Sequence, residues 1–120
     1  MKILLILNDP PYGTERSYNG LRLAKTLAKK GAEVTVFLMA DAVACTRHGQ
    51  KVPPGYYNLK LMVKSVLRGG EVLLCGTCMD ARGLTDETEV VFNQVSYDIG
   101  LGKDLFSKRY LQRPPKQWIR

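Results

Sequence analysis

Between Ile3 and Cys75, short apolar runs alternate with longer stretches of helical periodicity, and few architectures accommodate that alternation. Residues 2–7 form a continuous apolar run closed by Asn8-Asp9-Pro10-Pro11, the pattern of a strand covered on both faces. Residues 14–30 read as a helix. Thr14 is placed as N-cap, Glu15 falls in the first turn, and Tyr18, Leu21, Ala24, Leu27 and Ala28 share one face. Lys29-Lys30 and Gly31 supply the usual close. The β-branched, apolar run Glu33 to Met39 is a second strand, so the first unit is a right-handed parallel crossover. Ala40 to Gly55 reads as a connection, and a second helix from about Tyr57 to Arg68 ends at Gly69-Gly70. Glu71 to Cys75 is a third strand. The order β-α-β-α-β predicts an α/β domain built on a parallel sheet with helices on its faces.

Beyond Gly83 the pattern is less regular. Leu84-Thr85-Asp86-Glu87 resembles a helix start capped by Thr85, and Glu89 to Tyr97 has the composition of a strand. Asp98 to Gly102 breaks any period, and residues 107–120 form a basic tail with five Lys or Arg and no acid. A chain of 120 residues is one domain, which we place at 1–106 with 107–120 as an appendage that is disordered or lies on a partner chain. The leading apolar run is too short to span a bilayer and has no small-residue cleavage site, which predicts a cytoplasmic protein with no membrane contact. A net charge of +7 invites a nucleic-acid reading, but basic residues such as Arg22, Lys25, Lys29 and Lys30 sit singly along a helix. That spacing suits a solvated face better than a phosphate-binding stripe, so nucleic acid is not the expected partner.

Ligands of an open parallel sheet collect outside the carboxyl ends of its strands. Two segments belong there: Asn8 to Glu15 after the first strand and Cys75 to Gly83 after the third. In the first, Asn8, Asp9 and Thr14 are candidates for binding a small anion, with backbone N–H groups of the helix start helping. In the second, Cys75 ends an apolar strand and reads as a buried residue. Cys78 lies beyond the strand, in a loop at the ligand edge among Gly76, Thr77, Asp80 and Arg82, where a guanidinium and local N–H groups would favour thiolate. Gly83 reads as a turn residue.

Three cysteines cannot all pair within one chain, so reactivity or metal binding has to be weighed. Cys75-x-x-Cys78 has the spacing of a thioredoxin-type dithiol, although Gly83 would weaken a helix carrying Cys78. Together with Cys45-x-x-His48 it offers three sulfurs and an imidazole, a valid zinc set. That set would draw Cys75 out of its strand, and neither a metal nor another cofactor is expected.

Two blocks carry a wider likeness: Met1-Lys2-Ile3-Leu4…Asn8-Asp9-Pro10 leading to Asn19-Gly20-Leu21-Arg22-Leu23-Ala24, and Val72 to Leu84 (VLLCGTCMDARGL). Gly31 to Val43 supports them. On these residues the chain resembles the DsrE/DsrF-like (YchN-like) sulfur-relay family over about residues 1–87. The resemblance implies a three-layer α/β/α domain, Rossmann-like or flavodoxin-like, with a mostly parallel sheet of about five strands. It implies homotrimers or hexamers, and sulfur transfer through a persulfide on the cysteine that corresponds here to Cys78. Family members finish with a helix and a last apolar strand, and residues 88–120 show neither cleanly.

The expected function is therefore a sulfur carrier or sulfurtransferase. It would exchange sulfane sulfur between donor and acceptor proteins on Cys78, with Cys75 as auxiliary thiol and Arg82, Gly76 and Thr77 around the site. The rival from another class is a non-catalytic oligomeric module that binds a small anion or nucleotide through the same two segments.

Overall fold

A computed structural model describes residues 1–47, 49–84 and the backbone strand 96–98. Three strands, β1 (Lys2–Leu7), β2 (Glu33–Leu38) and β3 (Glu71–Cys75), fall where the apolar runs predict them. A short β4 (Ser96–Asp98) joins them in an all-parallel sheet of order β1-β2-β3-β4. In register, Leu5 pairs Val36, Val36 pairs Val72, and Leu7 pairs Leu38, which pairs Leu74. Because side chains alternate along a strand, these residues form rows on one face of the sheet. Leu4, Phe37, Leu73 and Cys75 belong to the opposite face.

The helices α1 (Arg16–Lys29) and α2 (Leu59–Leu67) both cover the first face, where Leu21, Ala24, Leu59, Val63 and Val66 bury against Val34, Val36, Leu38, Val72 and Leu74. The strand order explains why. Successive strands add in one direction, so right-handed crossovers deposit both helices on the same side. The described residues thus form two layers and four strands, where three layers and about five strands were expected. The second face carries a smaller cluster of Phe37, Leu73 and Cys75, with Ile6 of β1 half-exposed beside it. The predicted helix start at Thr85, most of the strand predicted over 89–97 and the tail 107–120 lie outside the described residues.

Local corrections have simple causes. Glu15 rather than Thr14 holds the cap position of α1, without a side-chain bond. The Thr14 hydroxyl donates to Asp9 at 2.7 Å and accepts from the Arg16 N–H at 3.3 Å, so it still serves the helix start from one residue earlier. Gly31, at φ +94°, closes α1 as expected: its own N–H reaches Ala28 O and that of Ala32 reaches Leu27 O. The connection after β2 contains a 3-10 segment, Ala40–Thr46, whose apolar Ala42, Val43 and Cys45 are fully buried. The second helix starts later than Tyr57 because Asn58 caps it, accepting from the Leu61 N–H at 3.2 Å.

Candidate functional site

The site lies at the carboxyl edge of the sheet, where β3 runs without a break into α3 (Gly76–Ala81). This corrects the expectation of a loop: Cys78 stands in the first turn of a six-residue helix. Gly83 does not prevent that helix; it ends it. With φ +70°, Gly83 takes the left-handed C′ position, its N–H bonds Asp80 O at 3.1 Å, and the Leu84 N–H returns to Met79 O at 2.9 Å. Leu84 is thereby folded back beside Met79 in the main core. A strand that delivers a cysteine directly to a helix start, followed by a second cysteine one turn on, is the dithiol layout that the spacing allowed.

The three thiols have distinct surroundings, and none is in a disulfide. Cys45 is fully buried in the core under the helices. Burial pushes its thiol up to about 12, against the opposing effect of a hydrogen bond with the Ser17 side chain. Cys75, 1 % exposed, packs with Phe37 and Leu73 on the far face. Burial raises its thiol to about 11; the adjacent Cys78 thiol adds to the rise, while the Cys78 N–H, donating to Cys75 Sγ at 3.4 Å, acts against it. Cys78 is half-buried, in van der Waals contact with both core clusters. Of the three thiols it is the one that solvent reaches.

Arg82 anchors the turn that carries Cys78. Its Nε and Nη2 both meet Asp41 Oδ1, at 3.0 and 2.9 Å, and Nη1 donates to the Cys78 carbonyl oxygen at 3.0 Å. The guanidinium therefore touches the backbone of Cys78, and its charge is partly matched by a carboxylate. Asp41 is the residue that sequence reasoning missed. It follows β2 at the same edge and reaches α3 after Ala40, which holds the left-handed φ of +49° that residues with a Cβ avoid. An acid two residues beyond an apolar strand run, on the edge shared with the cysteine segment, is the signal that could have found it. Gly76 is buried at the strand–helix junction, and Thr77 is exposed beside Cys78.

The first segment is held mainly by its own polar groups. Asp9 accepts from the Thr14 hydroxyl at 2.7 Å, lies 3.7 Å from the Arg16 guanidinium, and gives its carbonyl to Ser17 Oγ at 2.7 Å. Asn8 is exposed. Since β2 separates β1 from β3, this segment and α3 stand on strands about 10 Å apart, with the Met39–Asp41 turn between them. Further along, Tyr12 and Gln50 tie that segment to the 3-10 turn and the start of α2: Gln50 Nε2 donates to Cys45 O at 3.0 Å, and the Leu59 N–H donates to the Tyr12 hydroxyl at 3.1 Å. A cleft of about 420 Å³ between α1 and α2 is lined by Tyr18, Arg22, Lys25, Tyr56, Tyr57 and Leu61. Tyr57 is sandwiched between Tyr18 and Tyr56, at 4.0 and 4.3 Å between ring centroids, and Arg22 lies over Tyr18. These ring faces are spent on one another, which fits a rivet between helices better than a stacking platform.

Among the described residues no group of three or more His, Cys, Asp or Glu is placed to hold a metal. Cys45 and Cys75 lie on opposite faces of the sheet, which separates the sulfurs of the zinc reading, and His48 is outside the described residues. Within the same residues no helix is long and apolar enough to cross a membrane.

The profile of the DsrE/DsrF-like family matches residues 1–105. An uncharacterized protein of Methanopyrus kandleri is 39 % identical over 85 residues, covering 71 % of this chain and 70 % of its own. YchN of Escherichia coli is 37 % identical over 86 residues, covering 70 % and 74 %. The crystal structure of the E. coli ychN protein superposes with a TM-score of 0.71 at 33 % identity, over 98 % of this chain and 90 % of that one. A strand–helix junction that presents one thiol to solvent and shields its neighbour is thus found on a matching parallel scaffold, and the chain belongs to the DsrE/DsrF-like family.

Proposed function

We propose that this protein is a sulfur carrier of the sulfurtransferase type, with Cys78 as the sulfur-bearing residue. The observation that carries the proposal is the inequality of its thiols: Cys78 reaches solvent at the carboxyl edge of the sheet, while Cys45 and Cys75 are buried. In the transfer step the Cys78 thiolate attacks the terminal sulfur of a donor persulfide. The donor's S–S bond breaks, its own sulfur leaves as thiolate, and Cys78 becomes Cys78-S-SH. An acceptor thiolate then takes that terminal sulfur by the same reaction. The chemistry asks for no cofactor. The protein's part is to fix the helix turn that carries the thiol, which Arg82 does through the Cys78 carbonyl and Asp41, and to keep the sulfur half-sheltered from water.

The same proposal takes in the partners: donor and acceptor proteins that dock at the carboxyl edge in the cytoplasm, and further copies of this chain in a trimer or hexamer. It puts a fifth strand at an edge of the sheet and a third layer over the face of Phe37 and Leu73, where Ile6 stands half-exposed. Incubation of the reduced protein with a persulfide donor, followed by peptide mass spectrometry, tests the carrier role. A gain of one sulfur confined to Cys78, absent in Cys78→Ser, is expected. Sulfur equally on all three cysteines, or on none within seconds of mixing and with no Cys75–Cys78 disulfide formed, would refute it.

A further inference from the structure

Cys75 has no task in the transfer just described, yet it occupies a place with a chemical consequence. It ends β3 on the far face and caps α3, with the Cys78 N–H on its sulfur at 3.4 Å. Solvent reaches it hardly at all, so a partner protein cannot approach it directly. Any sulfur chemistry of Cys75 therefore passes through Cys78. The turn of helix that brings the two residues together is anchored at both ends, by the β3 ladder before it and by the Gly83 turn and Arg82 after it. Little conformational freedom remains to be lost when the two sulfurs join.

We propose that Cys75 is the resolving thiol of the site, which discharges the Cys78 persulfide as sulfide when no acceptor takes it. The inference rests on the carrier reading of Cys78. Cys75 sulfur attacks Cys78 Sγ in Cys78-S-SH, and the bond from Sγ to the terminal sulfur breaks. That sulfur leaves as hydrogen sulfide, carrying its own proton and the one given up by Cys75, and a Cys75–Cys78 disulfide forms. The sulfane sulfur gains two electrons and the two cysteine sulfurs lose one each. A thiol reductant, itself oxidised to a disulfide, returns the pair to its starting state. The geometry that shields Cys75 from partners leaves it one electrophile, the sulfur beside it, so discharge competes with transfer only for as long as the persulfide stays loaded.

The test uses the full chain, reduced, loaded with a small-molecule persulfide and freed of excess donor, with intact mass and released sulfide followed together. Wild type is expected to lose its added sulfur as sulfide and to end two hydrogens below the reduced mass. Cys75→Ser, and Cys75→Ala as a second variant checked for native circular dichroism, should hold the Cys78 persulfide ~10-fold longer or more. Equal persulfide lifetimes in wild type and both variants would overturn the resolving role and leave the carrier role standing. Failure of Cys78 to load in any of the three proteins would overturn the carrier reading instead. The resolving role is then judged without persulfide, by treating reduced protein with oxidised glutathione. Wild type should collapse from a Cys78 mixed disulfide to the internal disulfide, and Cys75→Ser should remain glutathionylated; a stable mixed disulfide in wild type would refute it.

Discussion

Alkylation of the native protein by iodoacetamide should separate the three cysteines by rate, because the thiolate is the reacting form and the fold rations it. Burial lifts the Cys75 thiol from 9.0 to about 11 and that of Cys45 from 9.0 to about 12. At pH 8, well below both values, each unit of rise removes nine-tenths of the remaining thiolate. Ionisation alone therefore slows Cys75 by ~100-fold and Cys45 by ~1,000-fold relative to the same residues in denatured protein. Shielding adds to this, since Cys45 is fully buried and Cys75 is 1 % exposed, so either must wait for local or global opening before reagent arrives. Cys78 needs no opening. Quenched time points, digestion and tandem mass spectrometry resolve Cys75 from Cys78 on one peptide and place Cys45 on another. Cys78 should react to completion while the other two remain free. Alkylation of Cys45 or Cys75 in native protein at within ~10-fold of its denatured rate would refute the burial argument.

Other consequences are as direct. The Arg82–Asp41 pair is partly open to water, so Asp41→Asn and Arg82→Gln should each cost less than about 1 kcal/mol in urea denaturation, with a double-mutant coupling no larger; losses above ~3 kcal/mol would mean that the pair holds the fold rather than the site. Gly83→Ala places a Cβ at φ +70° and should cost about 1–2 kcal/mol, with faster alkylation of Cys75 as α3 loosens; an unchanged midpoint would contradict the left-handed turn. Stability should also fall at high pH. Cys45 keeps its proton in the fold up to about 12 but loses it near 9 when unfolded, so its contribution is complete below pH 9 and disappears between pH 9 and 12, at up to ~1.4 kcal/mol per pH unit. Cys45→Ala should flatten that alkaline slope in urea titrations, and an identical slope in the variant would count against the burial of Cys45.

Much of this fold is legible in the chain because its strands are apolar on both faces and its helices on one. Ile3 to Leu7, Glu33 to Leu38 and Glu71 to Cys75 need no tertiary knowledge to be read as strands, and the glycine closing α1 takes the expected left-handed turn. The layering was not legible, since periodicity says that a strand is covered without saying by what; the order β1-β2-β3 decides that both helices share a face. Within the site, Cys78, Arg82 and Gly83 could be singled out from residue type and spacing. The partner of Arg82 could not, because Asp41 lies forty-one residues earlier and meets it only through pairing of β2 with β3. The helical state of Cys78 was also hidden: a six-residue helix is too short for a periodic signal, and its closing glycine reads equally as a breaker or a cap.

The most direct test of the account is the position of sulfane sulfur after the reduced chain meets a persulfide donor, read by tandem mass spectrometry on the Gly69–Arg82 peptide within seconds of mixing. One added sulfur on Cys78, with Cys75 and Cys45 unmodified, is the predicted result. An added sulfur on Cys75 or Cys45 while Cys78 stays a free thiol would contradict it.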